Sequence, residues 1–393
     1  MQVLKFGGTS VASSEAMLRV IDIVRKSLEA DRTIVVSSAV SGCTDALIET
    51  GCRAARKDES YKALIAELRE RHHAIIRELL PDGYQQRTAA SVDALFDSLE
   101  GIAYGVFLLG ELSPASQDAI ESFGELFSTT ILTDKFRSLG ISCEWLDSRE
   151  LVQVKDGAVD EPETYARVSK AVNSNPHVEL FVVPGFIGKE ANGRVTTLGR
   201  GGSDYTASLF AVGIHARRVE IWTDVPGIMT ANPKVVPTAR PIPNISYRAA
   251  QELSHFGAKV IYPPTIQPVV EEGIPIYVKD TFHPDEPGTL VERNPPRVRD
   301  GVIGIAHSDH IALISLEGSG MVGVPGFSSR LFDALSRKGI NIILITQASS
   351  VHSMCIAIAE EDAEKAREAA DGCFAYEISL GKLNPLNITS SWK

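Results

Sequence analysis

The sequence predicts an α/β protein with a mainly parallel sheet, followed by a small α+β domain, and three observations carry that expectation. From residue 1 to about 290, short β-branched runs alternate with amphipathic helical stretches, the alternation that builds parallel sheets covered by helices. Around residues 294–300 proline and charge accumulate and the rhythm breaks, as in a linker. Beyond it, fewer than a hundred residues carry runs in the order βαββα, a ferredoxin-like arrangement. The expected division is therefore 1–293, a linker over 294–300, and 301–393; a length of 393 residues suits a large domain with a small one.

VLKF opens the chain as a buried strand, and Met17, Val20, Ile21, Val24 and Leu28 recur at helical spacing after it. Between them lie Lys5, Gly7, Gly8, Thr9 and Ser10. Glycines on a strand-to-helix turn let a ligand approach the backbone, and the free N–H groups of a helix start favour an anion, with phosphate the first expectation. TIVVSSA, ELFVVPGFIG, VEIWTDV and IPIYVKD read as the next strands. The stretch from about 57 to 100, with KALIAELRERHHAIIRELL, reads as charged helices inserted on the sheet. Glu70, His72 and His73 are assigned to a solvated helix face, because no second cluster completes a metal site. After a hairpin-like KEANGRVT comes TLGRGGSDYTASLFA, where Arg200 offers a fork for a carboxylate and Gly201, Gly202 and Ser203 offer amides at a second helix start.

In the second domain VIGIAHS, HIALISLEG, INIILIT and SMCIAIAE read as strands, with helices over PGFSSRLFDALSRKG and EDAEKAREAADG. GSGMVG, from Gly318 to Gly323, has the spacing of a dinucleotide turn. The strand after it ends in Gln347 instead of an acidic residue, and the chain is too short there for a full nucleotide-binding sheet, so a tight structural turn is expected.

Composition removes several function classes. A net charge of -11 argues against a nucleic-acid surface. No run has the apolar length of a membrane span, and no signal peptide precedes the first strand. Five cysteines lie far apart without a CxxC pair, consistent with a reducing cytoplasm and no structural metal.

Two glycine turns, each beside a cation, describe two sides of one anionic site in the first domain, and there is no GxxxxGK[ST] loop. WTDVPGIMTANPK at a third strand end and HFGAKV, with Lys259, extend the set. Together KFGGTS, the SSAVSGCTD loop with Thr44, SFGELFS with Glu125, TLGRGGSDYTA, WTDVPGI and FGAKV resemble aspartate kinase, in that family's order across the first 290 residues; FGAKVIYPPTIQPV looks most like the kinase half of bifunctional aspartate kinase–homoserine dehydrogenases. GMVGVPG and INIILITQASS resemble the ACT module that follows such catalytic domains. The resemblance implies the three-layer α/β/α sandwich of amino acid kinases. It also implies transfer of the ATP γ-phosphoryl group to the side-chain carboxylate of L-aspartate, the first step towards lysine, threonine and methionine, with Mg²⁺ as counter-charge.

Carried over by motif, Lys5, Asp204 and Lys259 are catalytic. Lys5, Gly7, Gly8, Thr9, Ser10, Gly202, Thr223, Asp224, Met229, Lys234 and Lys259 meet the nucleotide, while Thr44, Glu125, Arg200, Gly201 and Ser203 bind aspartate. Read alone, Glu125 would be a solvated helix residue, Lys259 a complement to a helix dipole and Thr44 an N-cap. Two positions depart from the family: Met229 stands where many relatives have Tyr, and Asn232–Pro233–Lys234 replaces DPR, so nucleotide affinity is expected to differ. One ACT module is read where relatives usually carry two. The resemblance places Asn341, Gln347, Ser349 and Ser350 near an effector pocket for threonine or lysine, with pairing between subunits through the module. Two other readings compete: a sister kinase acting on glutamate, and a catalytically silent amino-acid sensor that keeps the fold.

Overall fold

The computed structural model describes residues 1–256, 261–296, 301–321, 324–347 and 353–390, in two compact units, Met1–Ala306 and His307–Lys393. The first contains the strands β1 (Gln2–Phe6), β2 (Thr33–Ser37), β3 (Cys143–Trp145), β4 (Gln153–Lys155), β5 (Ala158–Val159), β6 (Leu180–Pro184), β7 (Ile187–Glu190), β8 (Val195–Thr197), β9 (Val219–Thr223), β10 (Asn244–Ser246), β11 (Ile276–Asp280) and β12 (Thr289–Glu292). Eight of them form one sheet in the order β10-β12-β11-β9-β1-β2-β6-β3. Every pairing in it is parallel except β11 with β12.

Side-chain alternation along these strands explains the layers. Leu4, Phe6, Val35, Leu180, Val182 and Trp222 point into one core, beneath the helices Ser14–Leu28, Cys43–Ala55, Tyr61–Leu79, Asp82–Leu109 and Phe123–Ser138. Val3, Ile34, Val36, Phe181, Val183, Val219 and Ile221 point into the other, beneath Glu161–Asn173, Gly202–Gly213, Tyr247–Phe256 and Gln267–Glu272. A strand with both faces buried must be apolar at consecutive positions, which is why these runs lack a polar face. The expected α/β/α layering with a mainly parallel sheet is what the chain adopts. KEANGRVT forms the antiparallel β7–β8 hairpin, part of a small sheet ordered β5-β4-β7-β8.

The helices over 57–100 depart from the expectation of a solvated insertion. His72 is fully buried, its Nδ1 2.7 Å from the Leu68 carbonyl and its ring against Phe96 and Phe127. It continues the stripe of Ile65, Leu68, Ile75, Ile76 and Leu79 at helical spacing, and burial depresses its imidazole to about 4. His73 and Glu70 are engaged instead with Asp93 at 2.9 Å and Arg77 at 2.7 Å.

The second unit holds β13 (Ile311–Glu317), β14 (Ile342–Gln347), β15 (Ser353–Ala359) and β16 (Asn387–Ser390), in an antiparallel sheet ordered β14-β15-β13-β16. Its helices are Phe327–Ser336 and Ala363–Cys373, with a short one over Ala375–Ser379. The expected βαββα order therefore gains a final strand, whose partner lies some seventy residues earlier. VIGIAHS is not a strand: the Ile305 amide donates to the Thr230 carbonyl, and the chain up to Ala306 packs with the first unit. At Gly318 a Cβ would lie 2.3 Å from the Lys382 carbonyl oxygen, so the GSG turn is closed by its own chain and has no room for a cofactor there.

Candidate active site

The central strands β9, β1, β2 and β6 are adjacent and parallel, so the turns leaving Phe6, Ser37, Pro184 and Thr223 come out at the same edge. In open α/β sheets this carboxyl edge is where ligands collect. A cleft of about 810 Å³ opens there. Of the residues singled out from the sequence it is lined by Lys5, Gly7, Gly8, Thr9, Thr44, Glu125, Arg200, Gly201, Gly202, Ser203, Asp204, Thr223 and Asp224.

The Lys5 Nζ lies 2.6 Å from the Asp204 Oδ1, with both side chains about nine-tenths buried. Two helix starts face the cleft. Gly42 precedes Cys43–Ala55 with φ 75°, and Gly201 precedes Gly202–Gly213 with φ 73°; neither helix has a side-chain cap. Left-handed backbone favours glycine at both positions; the first amide of each helix turns back to the loop before it, Cys43 donating to the Val40 carbonyl and Gly202 to the Gly199 carbonyl, and among the described residues the Thr44 and Ser203 amides are left for a ligand. Thr44 is thus inside the first turn, and not the N-cap of the alternative reading. Gly202 and Gly185 permit close packing: a Cβ on Gly202 would lie 2.7 Å from the Phe186 ring, and one on Gly185 2.7 Å from the Ser203 Cβ. Ser38 donates to Ser203 at 3.0 Å, which fixes the hydroxyl pair between β2 and the second helix start.

The turn after β1 differs from its expected form. Gly8–Val11 is a single 3-10 turn, and the helix proper starts at Ser14, capped by the Ser13 hydroxyl. Gly8 sits where a Cβ would come within 3.0 Å of the Ala39 carbonyl oxygen. Among the described residues the Gly8 and Thr9 amides find no acceptor, so the anion-facing donors belong to this turn. Ser10 is fully buried, 2.7 Å from the Thr281 hydroxyl and 3.4 Å from the Trp222 carbonyl. It holds the turn to the neighbouring strands and does not line the cleft.

Glu125 is the most perturbed group at the site. Its side chain is buried, Oε1 accepts the Ala39 N–H at 3.1 Å and Oε2 has no partner among the described residues. Desolvation pushes its carboxyl up to about 8, with the Ala39 N–H working against the shift. A solvated helix residue it is not. Arg200 is exposed, its guanidinium at the rim of the cleft.

Met229 and Lys234 do not line the cleft: Met229 bridges to Pro241, and Lys234 is exposed in a turn closed by the Asn232 side chain. Lys259 lies outside the described residues, as do Ser349 and Ser350. Asn341 and Gln347 are exposed at either end of β14. The cleft also takes in Ser38, Asp45, Gln117, Glu121, Phe186 and Thr197, which sequence reasoning passed over. For Gln117 and Glu121 a signal existed, since they precede Glu125 at intervals of four along one helical face.

Residues 1–280 match the amino acid kinase family, and residues 314–374 match an ACT domain. Lysine-sensitive aspartokinase 3 of Escherichia coli is 37% identical over 351 residues, covering 88% of this chain and 75% of that protein. The chloroplastic bifunctional aspartokinase/homoserine dehydrogenase 1 of Arabidopsis thaliana is 34% identical over 397 residues, 98% of this chain and 43% of that protein; the chain spans less than half the length of such bifunctional relatives. Crystal structures of E. coli aspartokinase III, with aspartate and ADP or with lysine and aspartate, superpose at TM-scores of 0.78 and 0.79 with 31% and 32% identity, each covering 99% of this chain and 85% of the other.

Proposed function

Because the chain belongs to the amino acid kinase family, and within it to the aspartokinases, we propose that it transfers the γ-phosphoryl group of ATP to the side-chain carboxylate of L-aspartate, giving 4-phospho-L-aspartate. One observation carries this reading: the Lys5–Asp204 pair, the two uncapped helix starts and the buried Glu125 open onto a single cleft. That cleft offers donors for phosphates and, on the same wall system, an acceptor for an ammonium.

The acceptor carboxylate is already an anionic nucleophile, so the chemistry asks for no general base. The difficulty is to bring two anions together and to stabilise charge that moves to the β–γ bridge. Lys5 supplies a fixed positive charge, steadied by Asp204. The amides of Gly8, Thr9 and Ser203 donate without reorganising, and Arg200 takes the α-carboxylate as a planar fork. Glu125 receives the α-ammonium, whose arrival supplies the counter-charge the buried carboxyl lacks. Lys259, by motif, joins Lys5 on the phosphates, and Thr223 and Asp224 meet the nucleotide. Mg²⁺ needs only one or two protein carboxylates beside phosphate oxygens; Asp224, exposed just after β9, would help hold the ion, which would supply counter-charge to the phosphates.

The second unit is read as an amino-acid-sensing module responding to lysine or threonine. Its edge strand β14 leaves Leu344 and Ile345 about half exposed, which favours pairing with a second copy. Initial rates unchanged by millimolar lysine and by millimolar threonine would remove the sensing role. The catalytic reading is tested by coupled ADP release with Mg·ATP and L-aspartate, beside L-glutamate and Lys5→Ala. Turnover with aspartate that collapses in the variant supports it; turnover preferring glutamate, or none in folded protein, refutes it.

A further inference from the structure

Gln117, Glu121 and Glu125 stand at intervals of four on consecutive helices, Pro114–Glu121 and Phe123–Ser138, with Ser122 in helical conformation between them. Such spacing puts the three side chains on one face, and all three line the cleft. Glu121 is 7% exposed and Glu125 3%. The Gln117 amide donates to Glu121 Oε1 at 2.7 Å, which fixes the carboxylate on that wall. Among the described residues no cation lies within ion-pair distance of either glutamate, and the one buried lysine of the cleft is taken by Asp204. Two sheltered carboxylates one helical turn apart, with Lys5 acting on Glu125 only at a distance and no ion-pair partner among the described residues, are costly unless a ligand brings one.

The geometry points to Glu121 as a second acceptor for the substrate's α-ammonium, a specificity-determining residue that, with Glu125, selects amino acids over the same acids lacking the amine. This rests on the aspartate reading above. An ammonium has three donors; Glu125 can take one, Glu121 a second, and Gln117 holds Glu121 in place through its amide without adding charge. Burial raises both carboxyls above their ordinary values, with Asp118 adding to the shift at Glu121 and Glu121 adding to it at Glu125. The arriving ammonium favours the ionised carboxylates, and the proton held at Glu125 leaves to solvent.

The test compares L-aspartate with succinate, which has the two carboxylates and no amine. The assay is coupled ADP release, with succinate as inhibitor, for wild type, Glu121→Gln, Glu121→Asp and Glu125→Gln. Glu121→Gln keeps the shape and the Gln117 contact. It is expected to raise KM for aspartate roughly tenfold, with a much smaller change in kcat, and to narrow the preference for aspartate over succinate by a similar factor, the scale of one hydrogen bond to a charged group. Glu121→Asp, which keeps the charge, should recover most of the preference. An unchanged ratio in Glu121→Gln while Glu125→Gln loses it overturns the assignment of Glu121 and leaves the aspartate site standing. A ratio unchanged in both Gln variants overturns the assignment of both glutamates, whereas no aspartate turnover in wild type overturns the aspartate reading itself.

Discussion

Glu125→Gln should change how stability depends on pH, and the sign follows from the site. In the folded chain the Glu125 carboxyl titrates near 8; the ordinary value is 4.5. Between those two values the unfolded chain has released the proton and the native chain still holds it, so native stability falls as pH rises through that window and levels off above about 8. The full loss is roughly 5 kcal/mol, of which about 3 kcal/mol falls between pH 6 and 9. Gln has no proton to release and can still accept the Ala39 N–H. Urea unfolding of both proteins at intervals from pH 6 to 9 would therefore give midpoints that diverge, the wild type falling relative to the variant. Saturating L-aspartate should flatten the wild-type slope, because its ammonium stabilises the ionised carboxylate. Parallel midpoints across the range would refute the claim that Glu125 is held protonated by burial.

Other consequences are more direct. Lys5→Ala should lower kcat/KM by roughly a thousandfold, the scale of a lost preorganised charge at a transferring group, and should also lower the unfolding midpoint, because Asp204 is left sheltered without its partner; an effect on kcat/KM below tenfold would remove Lys5 from the reaction. Gly185→Ala forces a Cβ to within 2.7 Å of the Ser203 Cβ, so activity should drop while stability falls by about 1–3 kcal/mol; full activity would show that the Ser203 helix start can shift freely. His72, buried neutral with its imidazole near 4 in place of 6.5, takes up its proton earlier in the unfolded chain. Stability from this residue is lost as pH falls from about 6.5 to 4, by roughly 3 kcal/mol, and His72→Leu should remove that part of the acid slope in a thermal or urea series.

What could be read from the chain alone was whatever depends on near neighbours in sequence. Consecutive apolar residues in VVS and FVV announce strands buried on both faces, KFGGTS and GRGGSD announce turns that need glycine, and the combined motifs name the chemistry, because each has a local backbone form. Tertiary structure decided which side chains meet. Ser10 carries the same hydroxyl as Thr9, yet pairs with Thr281 in the bend after β11, 271 positions away, while Thr9 faces the cleft. His72 reads as charged and solvated beside Glu70 and His73, but Phe96 and Phe127 close over it from two other helices. β16 exists only because β13 offers it an edge. Glu121 shares a helical face with Glu125 by spacing, but its place at the cleft was decided only when the end of its helix was set against the turns after β1 and β2. A sequence encodes propensity and pattern over a few residues, whereas burial and charge pairing belong to surfaces made by segments distant in the chain, and those two quantities fix what each side chain can do.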